Sequence, residues 1–249
     1  MSFHFSPNIL TDGLILCYDP ANTKSFVSGS TSLFDLTSNK YDAQLTNGPV
    51  YSTDSKGSIL LDLTDDKIDF PRLSDSTDGT ISIWFKNDNE ITSATTATEL
   101  FKFSSGVTSQ SQFKATLGNV FFATGRTELL TIQLYSSTLS TIAGSYEADL
   151  LPITGNTLPV KWYNLTISRD SLGTRVYFDN VLLGVPSHPS SDITIITTTT
   201  NQFGRSAWNL NEIGFMLGGL VSHFSIYNRS LTTEEVNGNY QALKNRFGL

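Results

Sequence analysis

Residues Leu220–Leu249 read LVSHFSIYNRSLTTEEVNGNYQALKNRFGL, and this stretch decides the fold. Its first part, Leu220–Tyr227, alternates as a β-strand. A strict period of two places Leu220, Ser222, Phe224 and Ile226 on one face and Val221, His223, Ser225 and Tyr227 on the other. Thr232 then precedes Glu235 by three residues, the spacing of a capping box in which hydroxyl and carboxylate satisfy the first free amides of a helix. Val236, Tyr240 and Leu243 follow at helical spacing. A lone short helix at the end of a strand-rich sequence leaves few architectures to choose from.

Upstream of residue 232 helical periodicity is scarce and strand-like runs recur between turn residues. Leu14–Tyr18 is entered through Asp12-Gly13. Ser58–Leu63 and Lys67–Phe70 flank Thr64-Asp65-Asp66, a pattern that predicts a hairpin. Thr80–Lys86 puts Ile81, Ile83 and Phe85 on one face and Trp84 on the other. Glu99–Ser104, Phe113–Leu117 and Val120–Ala123 continue the series, the last two turning at Gly118-Asn119. Leu129–Tyr135 follows. Ser136–Pro159 reads mostly as loop with room for one strand. Trp162–Arg169 and Thr174–Phe178 are joined through Ser171-Leu172-Gly173. The next turn uses Asp179-Asn180, residue types that tolerate the left-handed conformation of a tight hairpin. Ile193–Thr200 is β-branched and predicts a polar edge or partner-facing strand. About a dozen short antiparallel strands without an internal repeat predict an all-β, two-sheet antiparallel sandwich of jelly-roll type. We divide the sequence into an N-terminal arm, residues 1–10, and a single sandwich domain, residues 11–249.

At 249 residues the chain can bury a large core without covalent staples. Its single cysteine, Cys17, excludes an intrachain disulfide and fits a protein folded in a reducing cytoplasm. Sixteen phenylalanines spread along the chain argue against disorder. A net charge of −7 with no basic cluster argues against nucleic acid as a partner. The N-terminal MSFHFSPNIL lacks the basic start and apolar core of a signal peptide. The longest apolar stretch, Ile213–Val221, is too short for membrane insertion and is broken by glycines.

Four stretches carry a resemblance to a known family. They are TDGLILCYDPANTKSF (Thr11–Phe26), FDLTSNKYDAQLTNGPVY (Phe34–Tyr51), SILLDLTDDKIDF (Ser58–Phe70), and WYNLTISRD with VYFDNVLLG (Trp162–Gly184) taken with the C-terminal FSIYNRSLTTEEVNGNYQALKNRFGL. Together they resemble concanavalin A-like lectin/glucanase domains of the laminin-G-like type found in tailed-phage structural proteins. The terminal segment is the most specific, down to Arg246-Phe247-Gly248-Leu249. The chain departs from the pattern at Leu63 and Val181, where a turn glycine is usual. The resemblance implies a concanavalin A-like sandwich in a virion component or a glycan-binding module, a fold that also hosts enzymes.

Chemistry-bearing patterns are sparse. The glucanases that this chain resembles place their carboxylates on one strand as Glu-x-Asp-x-x-Glu, whereas the nearest approach here, Glu147-Ala148-Asp149, lacks the second glutamate. Of His4, His188 and His223 only the last sits in a well-defined strand, where it reads as a sheet-surface residue. Cys17, inside LILCY, reads as a small buried hydrophobe. No glycine-rich phosphate loop and no zinc spacing are present. The sequence therefore predicts a protein without catalytic residues.

Two binding constellations remain. Asp62, Asp65, Asp66 and Asp69 crowd one predicted turn and could furnish oxygens to Ca²⁺, which relatives of the resembled family often hold. Aspartates also gather in turns because they bond their own backbone, so our expectation is no cofactor. Trp208, in GRSAWNLNEIG with Arg205, Asn209 and Asn211 beside it, is the candidate sugar-stacking ring. The alternative is a loop aromatic folded back on the sandwich edge.

The expected function is that of a non-catalytic structural protein of a tailed-phage virion, synthesised in the host cytoplasm: a capsid decoration, fibre or tail appendage. Its partners would be other virion proteins, in a homo-oligomer or larger assembly, with contacts through arm residues Phe3, Phe5 and Ile9. The alternative is a carbohydrate-binding host-attachment module that takes a surface polysaccharide.

Overall fold

A computed structural model describes residues 8–62, 64–71, 73, 78–92, 98–104, 112–117, 130–136, 141–148, 157–184, 200–203 and 218–249. In chain order its strands are β1 (Leu14–Tyr18), β2 (Ser32–Leu33), β3 (Ala43–Thr46), β4 (Val50–Ser52), β5 (Ser58–Asp62) and β6 (Lys67–Phe70). There follow β7 (Gly79–Asn87), β8 (Ile91–Thr92), β9 (Thr98–Ser104), β10 (Gln112–Leu117), β11 (Leu130–Ser136) and β12 (Thr141–Ala148). The last are β13 (Thr157–Leu158), β14 (Trp162–Asp170), β15 (Gly173–Phe178), β16 (Val181–Gly184), β17 (Thr200–Phe203) and β18 (Gly218–Tyr227). Among the described residues one α-helix, α1 (Thr233–Leu243), runs into a 3-10 turn, Lys244–Phe247.

Sixteen of these strands form two antiparallel sheets, and β8 and β13 pair separately. The first has the order β16-β15-β14-β7-β18-β5-β4, with β1 also paired to β18; the second runs β12-β11-β10-β9-β17-β6-β3-β2. Apolar side chains from both meet between them. Ile59, Leu61, Ile81, Ile83, Phe85, Leu165 and Ile167 come from the first sheet, and Leu45, Ile68, Phe70, Phe101 and Leu117 from the second. This is the expected sandwich, and its core is the alternate-residue face of each strand.

Three local expectations need correction. Ser58–Leu63 and Lys67–Phe70 are not a hairpin, because β5 pairs with β18 and β4 whereas β6 pairs with β17 and β3. Between Asp62 and Lys67 the chain passes from one sheet to the other. The turn expected at Gly118-Asn119 lies outside the described residues, and β10 is flanked by β9 and by β11, with Leu117 opposite Leu130. Val120–Ala123 lies outside the described residues. The stretch read mostly as loop holds an eight-residue strand, β12, and the short β13. Of Ile193–Thr200 only Thr200 is described. It opens β17, which lies inside the second sheet between β9 and β6.

The strand that anchors the fold departs from strict alternation. Val221 pairs with Phe85 and Phe224 with Ile83, so β18 advances three residues while β7 advances two. This bulge moves Val221 onto the core face with Phe224 and Ile226, and leaves Leu220 on the opposite face with Trp84 and Trp162. At the start of β18, Gly219 has φ 135°, and a Cβ there would lie 2.1 Å from the Lys86 carbonyl oxygen. Only glycine fits that crossing.

The capping box forms as expected. Thr232 Oγ1 accepts from the Glu235 amide at 3.2 Å, and a Glu235 carboxylate oxygen accepts from the Thr232 amide at 2.9 Å. Arg229 holds the same carboxylate through two nitrogens, at 2.9 and 2.7 Å. Arg229's hydrogen bond in particular draws the Glu235 carboxyl down to about 2. The helix then lies across the outer face of the first sheet.

Candidate functional site

The outer face of the first sheet carries small polar side chains where a solvated sheet would be expected to carry charges. Ser82 and Thr166 hydroxyls lie 2.9 Å apart, and Asn164 Nδ2 donates to Ser82 Oγ and to the Ile83 carbonyl, each at 3.2 Å. Thr80 and Ser168 hydroxyls both accept from the Leu231 amide at 2.9 Å, fixing the chain as it leaves β18 for the helix. All five polar side chains are buried, because α1 and its following turn cover them.

The cover is fastened by the last residues. Phe247 stacks on Trp84 with centroids 4.2 Å apart and meets Trp162 at 4.8 Å. Arg246 donates to the carbonyls of Ser55 (2.7 Å) and Gly57 (2.8 Å), to Asp19 Oδ1 (2.7 Å) and to Ser222 Oγ. The tetrapeptide that looked most family-specific is thus a fastening. Trp162 also donates to Asp54 Oδ1 at 3.1 Å, beside the Lys86–Asp54 ion pair at 2.8 Å.

His223 is not a sheet-surface residue. It is 3 % exposed, lying beneath the helix with Nε2 3.5 Å from Cys17 Sγ. Nothing in the sequence points to this pair, since the residues are 206 positions apart. Burial holds the imidazole down near 4 and pushes the thiol up to about 12. A nucleophilic thiolate needs the opposite shifts, so the pair is neutral packing. The adjoining cavity, lined by Ser82, Trp84, His223 and Tyr240 among others, measures about 10 Å³. It has room for about one water and none for a sugar.

Asp62, Asp65 and Asp66 do come together, each offering a carboxylate oxygen within 4.8 Å of the others. Asp66 is 5 % exposed and receives the Asp62 amide on Oδ2 at 3.1 Å. Burial, then the neighbouring Asp62 and Asp65 charges, raise its pKa. Asp69 stands apart on β6, where it pairs with Lys67 at 2.9 Å and accepts from Thr46 at 2.9 Å. Three carboxylates offer a hard cation part of the six or more oxygens that Ca²⁺ takes.

The other candidates divide. Trp208, Arg205, Asn209 and Asn211 lie outside the described residues, in the segment between β17 and β18, as do Phe3 and Phe5. Ile9 is half-buried and lines the small cavity under α1. The arm is tied to this chain there: the Leu10 amide donates to Asn239 Oδ1 at 2.7 Å, and the Leu10 carbonyl accepts from Tyr227 at 2.9 Å. Sequence reading passed over Tyr51, a residue 37 % exposed at the sheet edge, whose ring stacks on Phe26 at 4.8 Å. Glu147 sits in β12 opposite Thr131, and Asp149 is outside the described residues. Of the two Asn-x-Ser/Thr sequences, Asn164 is 2 % exposed within β14 and Asn228 is exposed.

Comparison with known proteins adds to this geometry. Residues 62–237 match the profile of the family described as the concanavalin A-like lectin/glucanases superfamily. No curated protein sequence matches. Among solved structures, domain 4 of a GH43 extracellular arabinanase from Geobacillus stearothermophilus, in complex with arabinotriose, superposes with a TM-score of 0.64 at 17 % identity. The match covers 92 % of this chain and 98 % of that one. The ligand-binding domain of botulinum neurotoxin serotype D, in complex with N-acetylneuraminic acid, gives a TM-score of 0.66 at 17 % identity. That match covers 92 % of this chain and 51 % of the toxin chain, so the present chain spans about half of that relative. Trypanosoma rangeli sialidase in complex with sialic acid gives 0.64 at 12 % identity, over 96 % of this chain and 34 % of the sialidase. These likenesses establish a shared fold.

Proposed function

The chain belongs to the concanavalin A-like lectin/glucanases superfamily, and from that premise we propose that it is a non-catalytic carbohydrate-binding module. One observation carries the reading: the chain matches nearly the whole of an arabinanase domain in complex with arabinotriose, 98 % of its length. The buried, neutral Cys17–His223 pair supports a role without nucleophilic chemistry. The sandwich, residues 11–249, acts as one scaffold in this reading.

Trp208 remains the proposed stacking ring, with Arg205, Asn209 and Asn211 fixing sugar hydroxyls. A glycan array probed with the full chain and with Trp208→Ala tests both levels. Binding to a defined glycan class is expected, with a loss of about tenfold in the variant. An array blank for the intact protein would overturn the function, and binding indifferent to the substitution would remove Trp208 from it.

A second reading keeps the tailed-phage assignment: a virion structural or host-attachment protein, assembled with other virion proteins or copies of itself. It is supported by the phage-type resemblance at both ends of the sequence, above all Arg246-Phe247-Gly248-Leu249. Mass-spectrometric inventory of purified particles decides it, and absence of the chain from them ends this reading.

A further inference from the structure

Two aromatic residues are exposed among the described residues, Phe34 and Tyr51, each at 37 %, and the fold brings them to one neighbourhood. Phe34 donates its amide to the Ser25 carbonyl at 2.7 Å, and Ser25 Oγ donates to the Phe34 carbonyl at 2.7 Å. The residue after Ser25 is Phe26, only 7 % exposed, and its ring lies parallel to that of Tyr51, 3° between planes. Phe26 covers one face of Tyr51. β4 is the outermost strand of its sheet, and Tyr51 keeps 37 % of its surface exposed beside that contact. Tyr51 is therefore a flat ring held in one orientation by a buried partner, as a stacking platform for a sugar requires.

The charges around it are unusual for a chain of net charge −7. Lys24 stands two residues before Phe26, and the Lys56 carbonyl lies 3.5 Å from the Tyr51 hydroxyl. Both lysines are exposed, and neither ammonium makes an ion pair among the described residues. The acids that flank them in sequence have partners already. Asp19 is held by Arg246 at 2.7 Å and Asp54 by Lys86 at 2.8 Å. Two exposed lysines thus flank the platform's residues in sequence, and the acids nearest to them in sequence are engaged elsewhere.

Resting on the carbohydrate-binding reading above, we infer that the β4 edge is a subsite for a carboxylate-bearing sugar, its ring stacked on Tyr51 and its carboxylate facing Lys24 and Lys56. Val27, next to Phe26 in sequence, is 56 % exposed. Attraction between exposed charges is screened within about 8 Å at physiological salt, so affinity falls as salt rises.

Titration calorimetry of the full chain with three probes tests this: oligogalacturonate, sialyllactose and neutral maltohexaose. The two acidic probes separate a uronate from a sialate as source of the carboxylate. At least one acidic probe is expected to bind, and the neutral probe at least tenfold more weakly. Tyr51→Ala should weaken the acidic probe about tenfold, whereas Tyr51→Phe keeps the affinity. The double change Lys24→Gln, Lys56→Gln should abolish the salt dependence. It lies on exposed side chains, so it remains informative if Tyr51→Ala fails to fold. Equal binding of neutral and acidic probes, or acidic binding that survives both Tyr51→Ala and the lysine changes, overturns the subsite and leaves the broader function standing. A protein that binds none of the probes and leaves a glycan array blank overturns both.

Discussion

His223 titrates against the fold. In the folded protein, burial holds its pKa near 4, against about 6.5 for a free imidazole. The unfolded chain therefore takes up this proton first as pH falls. Its contribution is complete above pH 6.5 and is lost on going down toward pH 4, a difference of about 3 kcal/mol. Urea unfolding at pH 7 and pH 4.5 should show this loss, and His223→Gln should flatten the curve between them. Asp66 acts with the opposite sign: its raised pKa means that ionisation weakens the fold as pH rises through the acid range. Asp66→Asn keeps an acceptor for the Asp62 amide while removing the charge. It should raise stability at pH 7 by about 0.5–1 kcal/mol in metal-free buffer. Neither residue's setting can be read from its neighbours in sequence. A histidine that alternates with Val221 and Ser225 in a strand looks solvated until a helix from elsewhere covers it.

At the level of elements, the terminal helix was the most legible part. Thr232, Glu235 and the Val236/Tyr240/Leu243 stripe act locally, within one or two turns, so sequence spacing alone locates them. Thr232→Ala should cost about 1 kcal/mol in chemical unfolding. The fastening that follows was recognisable as a motif, but its purpose was hidden, because Arg246 reaches Asp19 and Ser55 some 190 to 227 positions away. Arg246→Ala leaves the Asp19 carboxylate and two carbonyls without this donor and should cost about 3 kcal/mol, with amide exchange accelerated first in α1. The bulge in β18 defeated alternation for a different reason. One inserted residue shifts every later side chain to the other face, and no turn residue announces it.

For the molecule as a whole, strand positions were recovered well from alternation and turn residues, whereas partners were not. The segment from Ser58 to Phe70 shows why. Two strands separated by a short acidic turn look like a hairpin, yet the chain uses the turn to change sheets, a choice made by which apolar faces must meet in the core. The binding surface was less legible still. A stacked Tyr51 depends on Phe26 arriving from another loop, and only the folded chain places them together. Gly219→Ala tests the crossing on which this arrangement rests. With Lys86 O in the way, the variant should be recovered mainly as insoluble protein, or with its unfolding midpoint lowered by at least 10 °C, consistent with about 3 kcal/mol of overpacking.

The position of β18 also bears on how the protein is made. It lies between β7 on one side and β5 and β1 on the other, yet it is the last strand of its sheet to be translated. Until residues 218–227 leave the ribosome, the strands on its two sides have no backbone partner in common, and the apolar faces of Ile59, Leu61, Ile81 and Phe85 stay unsealed. The nascent chain must therefore be shielded as two open halves, and chains stalled before Gly218 should remain protease-sensitive however long they wait.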